Sequence, residues 1–126
     1  MISTIAGLAA SAVVLVVPGP RDHPGGYAST RLTLSYTAEA GFADVVKLEC
    51  DPPAGGHPHP GLACAELARV AGRPDRIAPG HHACFLIYQP VTAEIAGQWR
   101  GTALTWSHKF GNMCEMRRAT GDLFDF

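Results

Sequence analysis

CDPPAGGHPHPGLACAEL, Cys50 to Leu67, contains four prolines, three glycines and two cysteines within eighteen residues. Asp51 to Pro60 (DPPAGGHPHP) excludes any regular element, because proline lacks the backbone N–H and fixes φ. From Gly61 the pattern changes, and Gly61 to Val70 (GLACAELARV) reads as a helix. Pro60 suits its first turn and Gly72 its C-terminal cap. Leu62, Leu67 and Val70 are expected to share its apolar face, with Glu66 and Arg69 outward.

Working outward, Asp44 to Cys50 (DVVKLEC) reads as a strand that delivers the chain to this loop. Arg31 to Tyr36 (RLTLSY) alternates polar and apolar residues, the mark of a half-buried strand. A turn near Gly41 would set the two antiparallel. Downstream, Arg73 to His82 (RPDRIAPGHH) is irregular. Thr92 to Ile95 and Gln98 to His108 read as a hairpin turning at Ala96-Gly97, with Gly101 at a bulge or a crowded approach. Trp99, Leu104 (or Ala103) and Trp106 supply large side chains in the second arm. Met113 to Arg118 reads as a short helix and Leu123 to Phe126 as a last strand. The expected fold is α+β, an antiparallel sheet of about five strands with two helices packed on one face.

A length of 126 residues and 47% hydrophobic content suit one domain with one core. The formal net charge is −1, and basic residues are scattered. That distribution argues against nucleic acid as a partner and against a polybasic membrane patch. Ile5 to Val17 (IAGLAASAVVLVV) is too short to span a bilayer as a helix. It suits the apolar region of a secretory signal, although no Lys or Arg precedes it and Ala10-Ser11-Ala12 lies inside it. The alternative is a buried N-terminal strand or helix. Pro18 to Gly26 (PGPRDHPGG) reads as a flexible linker. The expected division is a leader and linker over 1–26 and a folded domain over 27–126. Export predicts a secreted, extracellular protein with no membrane contact in its mature form.

The four cysteines, Cys50, Cys64, Cys84 and Cys114, favour two disulfides in a small exported domain, and three connectivities are open. The rival is a structural metal site using His57 and His59, or His81 and His82 beside Cys84. It lacks any C-x-x-C pair, and adjacent histidines on a strand would face opposite ways.

Ala83 to Pro90 (ACFLIYQP) places four bulky residues, Phe85, Leu86, Ile87 and Tyr88, in succession. A central strand buried on both faces shows such unbroken apolar runs. An exposed binding loop, anchored at Cys84 and held extended at Gln89 by Pro90, is the other reading.

Two blocks decide between them by resemblance. Cys50, Pro52, Gly55, His57, Pro58, Ala63, Cys64 and Leu67 match the signature of the Streptomyces subtilisin inhibitor family. Cys84 to Met116 resembles the family's reactive-loop region without a gap, through Tyr88, Pro90, Val91, Gly97, Trp99, Gly101, Asn112, Cys114, Glu115 and Met116. Phe124 and Phe126 are similar too. The likeness covers about Tyr27 to Phe126 and is strongest after Val45. It implies disulfides Cys50–Cys64 and Cys84–Cys114, and a homodimer built by sheet-to-sheet packing. It implies a reactive loop over Ala83, Cys84, Phe85, Leu86, Ile87, Tyr88 and Gln89, cut between Leu86 and Ile87. Leu86 would enter the primary pocket of a subtilisin-like serine protease, while Asn112 and Pro90 support the loop. The family often carries proline where this chain has Phe85, so the loop is expected to be looser or tuned to a different protease.

On this reading the chain is no enzyme and needs no cofactor or metal, because the chemistry belongs to the protease it meets. A loop already held extended at folding keeps its contact energy as affinity. An apolar Leu86 suits subtilisin-like pockets, and offers no charge to the acidic pocket of a trypsin-like enzyme. The rivals are a small secreted hydrolase, for which no G-x-S-x-G motif exists, and an inhibitor-fold binding module without inhibitory activity.

Overall fold

The computed structural model describes residues 28–126 together with Gly7 and residues 11–14. The leader and linker expected over 1–26 otherwise lie outside the described residues. Strand β1, Thr30–Ala38, sends Leu32, Leu34, Tyr36 and Ala38 into the core and the residues between them outward. This period of two follows from the strand pleat. Strand β2, Ala43–Cys50, pairs antiparallel with β1 after the expected turn at Gly41, and places Leu32 opposite Leu48. Strands β3, Val91–Trp99, and β4, Thr102–Phe110, complete a sheet ordered β2-β1-β3-β4, antiparallel throughout. Among the described residues there are four strands, not five.

Helices α1, Pro60–Arg69, and α2, Met113–Thr120, cover the core face of this sheet. Ala63, Cys64 and Leu67 of α1 and Met116 of α2 are buried there with Ile95, Leu123 and Phe124. Leu62 does not join the apolar face expected of it, being 52% exposed. Glu66 is the inward residue instead: its side chain is only 14% exposed, packs against Gly121, and is paired with Arg69 at 3.2 Å. The irregular stretch expected over 73–82 holds a single 3-10 turn, Pro74–Arg76.

The hairpin between β3 and β4 turns at Arg100-Gly101, four residues beyond the expected Ala96-Gly97. Arg100 and Gly101 both have positive φ, 48° and 83°, the geometry of a two-residue turn matched to strand twist. Arginine tolerates this because the surroundings hold it. Its backbone N–H donates to Thr30 Oγ1 at 2.9 Å, its guanidinium pairs with Asp51 at 3.2 Å, and its Cζ lies 4.7 Å from the centre of the Trp99 ring. Gly97 instead carries β3 straight past β1. At φ 142° a Cβ there would lie 2.1 Å from the Arg31 carbonyl oxygen.

Leu123 to Phe126 forms no strand. Leu123 and Phe124 are fully buried, and the segment covers the core without joining the ladder. Two long-range bonds fasten it. Tyr36 Oη donates to Phe126 O at 3.1 Å, and His57 Nε2 lies 3.0 Å from Leu123 O. His57 Nδ1 accepts from the His59 backbone N–H at 2.9 Å, which leaves the proton on Nε2 for Leu123. Both nitrogens of this buried ring are therefore occupied, as a packing device and not as metal ligands. Replacing His57 with Ala should lower the unfolding free energy by about 1–3 kcal/mol, since a buried carbonyl loses its donor. Urea denaturation would measure this, and an unchanged midpoint would remove His57 from the fastening of the C-terminus.

Candidate functional site

After the 3-10 turn Ile77 is buried in the core, and from Ala78 the chain runs along the surface until Pro90, which is buried at the entrance to β3. Gly80 to Gln89 contains no residue buried in the core. The run Phe85 to Tyr88 lies outside the sheet. Phe85 is 85% exposed, Leu86 96%, Ile87 56% and Tyr88 75%. Exposing four consecutive large apolar residues opposes the hydrophobic effect, and contiguous apolar exposure of this kind marks binding surfaces.

Such a segment has no ladder to order it, so its order comes from outside. The disulfides join Cys50 to Cys64 and Cys84 to Cys114, each with Cα atoms 5.7 Å apart. The second ties the loop to the first turn of α2. A His82 ring nitrogen lies within 4.8 Å of both of these sulfurs, which are spent on each other. Upstream, the Gly80 N–H donates to Arg118 O at 2.8 Å, at the other end of α2. Downstream, the Gln89 N–H donates to Gly111 O at 2.8 Å and the Glu39 N–H to Pro90 O at 3.1 Å.

At the centre sits Asn112, buried beneath the loop and serving as the N-cap of α2. Its Oδ1 accepts from the Glu115 backbone N–H at 2.8 Å, a standard way to satisfy a helix's first free donors. That bond turns Nδ2 toward the loop, where it donates to Phe85 O at 3.1 Å and to Ile87 O at 2.8 Å. One carboxamide thus holds the carbonyls on both sides of Leu86. The Glu115 carboxylate in turn accepts from the Gly111 N–H at 3.1 Å, closing a reciprocal cap. Glu115 and Gly111 were not singled out as loop supports from the sequence, although Asn112-x-x-Glu115 ahead of a helix is a legible capping pattern.

Beside Tyr88 lies an ion pair also missed from sequence. Lys109 Nζ is 2.6 Å from Glu39 Oε1. The hydrogen bond to Glu39, then its charge, then the field of Tyr88, hold the Lys109 ammonium above its ordinary pKa.

A family model of subtilisin inhibitor-like proteins matches residues 28–112. The chain belongs to the subtilisin inhibitor-like family. It is similar to a subtilisin inhibitor of Streptomyces albogriseolus, with 34% identity over 92% of this chain and 85% of that protein. It is also similar to a subtilase-type protease inhibitor of Streptomyces fradiae, with 36% identity over 94% of this chain and 92% of that one. Its fold matches Streptomyces caespitosus sermetstatin, solved in complex with Bacillus licheniformis subtilisin. The TM-score is 0.67 at 24% identity, over 78% of this chain and 99% of that one. Within this inhibitor-like chain the loop, α2 and the Cys84–Cys114 bridge form one supported unit. Asn112→Asp keeps the cap acceptor and abolishes both donors to the loop. It should leave the melting temperature within a few degrees of wild type and speed proteolysis inside residues 83–89. Equal cleavage rates in the two proteins would show that the amide does not order the loop.

Proposed function

We propose that this protein inhibits subtilisin-like serine proteases by presenting Leu86–Ile87 as a bond that is attacked and then restored. The observation that carries the reading is the Asn112 amide, which holds the Phe85 and Ile87 carbonyls while the Leu86 side chain stands free. An attacking serine would acylate the Leu86 carbonyl carbon and release the Ile87 amine. In a free peptide that amine diffuses away. Here both ends remain fastened, through Cys84–Cys114 on one side and Gln89 to Gly111 on the other. The amine stays close to the acyl carbon, and religation competes with hydrolysis.

Leu86 would fill the primary pocket, where burying a leucine contributes about 1.5–3 kcal/mol. Ala83, Phe85, Ile87 and Tyr88 would occupy the neighbouring subsites in an extended pose. Phe85 stands where the family often has a stiffening proline, and its carbonyl is still held by Asn112. The reading extends to a secreted protein whose functional unit is residues 27–126. It also extends to a homodimer formed by the sheet's outer face, where Thr33, Ser35, Thr92 and Ala96 present short side chains.

Titrating subtilisin with the purified protein should abolish activity at a one-to-one ratio. Leu86→Lys should weaken that inhibition at least tenfold and improve inhibition of trypsin, whose pocket is acidic. Unchanged inhibition of both enzymes would remove Leu86 from the primary pocket. Trace subtilisin at mildly acidic pH should cut one bond, Leu86–Ile87. N-terminal sequencing that found the first cut elsewhere would move the reactive site off this loop.

A further inference from the structure

We infer that the Glu39–Lys109 ion pair is a strap across β3 that retains the leaving side of the cut loop. The inference rests on the reading of Leu86–Ile87 as the bond offered to a protease. The two sides of that bond are fastened unequally. Upstream, Cys84 is joined covalently to Cys114. Downstream there is no covalent tie: Ile87 to Gln89 are exposed, and the segment is held by Asn112 Nδ2 to Ile87 O, Gln89 N to Gly111 O and Glu39 N to Pro90 O, with Pro90 alone buried. Once the bond is broken, those residues form a short stub at the N-terminal end of β3. Strand ends without further support fray.

The strap lies at that end. β3 runs between β1 and β4, and Thr92 pairs with Thr37 on one side and Lys109 on the other. Glu39 lies just past the end of β1, two residues beyond Thr37. Two side chains from opposite flanks of β3 meet at 2.6 Å only by reaching over it, on the outer face that Lys109 shares with Thr92. Glu39 thus acts twice, its backbone N–H bonding Pro90 O just ahead of β3 and its carboxylate bonding Lys109 of β4 across β3. Religation forms the bond between Leu86 carbonyl carbon and Ile87 nitrogen. It breaks the bond from that carbon to the enzyme's serine oxygen, which recovers the proton given up by the amine. The strap has no part in that chemistry. It is a positioning device that limits how far the Ile87 amine strays.

The test is the ratio of cleaved to intact inhibitor at equilibrium under catalytic subtilisin, approached from both intact and pre-cleaved protein. Glu39→Gln and Lys109→Met should each raise the ratio about two- to fivefold, the range an exposed ion pair supports. The charge-swapped double variant, E39K with K109E, should return it close to wild type, which loss of bulk or propensity would not. High salt should raise the wild-type ratio toward that of the single variants and leave Glu39→Gln unmoved, because exposed pairs are screened. Single variants that match wild type, or a double variant that adds their effects, would overturn the strap. If wild type itself fails to inhibit, or is cut at another bond, the reactive-bond reading fails instead. Wild-type inhibition with indifferent variants sinks the strap alone.

Discussion

A single buried carboxamide governs this molecule's surface. The segment from Phe85 to Tyr88 exposes apolar side chains and has no strand beside it, so water would compete for its backbone groups. Asn112 answers that from below, with two donated bonds to carbonyls two residues apart. Its own orientation is not free, because its oxygen is committed to the first turn of α2. The loop therefore inherits the rigidity of a helix, and the helix is stapled back to the loop by Cys84–Cys114. Each half restrains the other, so a phenylalanine before Leu86 is compatible with an ordered backbone.

The sheet supplies the platform for that arrangement. α2 rests on the core through Met116, which is fully buried beside Leu123 and Phe124. The loop feeds into β3 at Pro90 and Val91, both buried, while Ile87 to Gln89 ahead of them stay exposed and depend on hydrogen bonds. At the other end of the cover layer, Cys50–Cys64 joins α1 to β2, and His57 reaches the C-terminal segment. Strands, helices and disulfides thus serve one outcome, a rigid body with one protruding edge.

Much of the fold was legible along the chain. Alternation in Arg31 to Tyr36 located β1, because half-buried strands must alternate, and Asp44 to Cys50 was legible as β2 beside it. The shift from Pro and Gly to GLACAELARV located α1. The failures have local causes. Ala96-Gly97 resembles a turn, yet Gly97 serves a close crossing past Arg31, while Arg100 turns only with help from Thr30, Asp51 and Trp99. Leu123 to Phe126 has strand composition but pairs with neither edge strand, β2 or β4; its buried Leu123 and Phe124 lie over the core, fastened by Tyr36 and His57. Leu62 faces solvent because Ala63, Cys64 and Leu67 define the contact, drawn inward by the bond to Cys50. The loop itself was half legible: its bulky residues and its cysteine were plain, but an unbroken apolar run fits a buried strand equally well.

Periodicity, proline and glycine determined the fold class, and the resemblance carried by two cysteine motifs pointed to the family and the loop, because these are properties of neighbouring residues. Which way that loop faces, and what holds it, was decided only in three dimensions. The partners are distant: Asn112 lies 27 residues from Phe85, and Glu39 and Lys109 come from opposite flanks of the strand they straddle. A hydrogen bond or ion pair between such residues leaves no local pattern in the chain, since its geometry exists only once the sheet and α2 have packed.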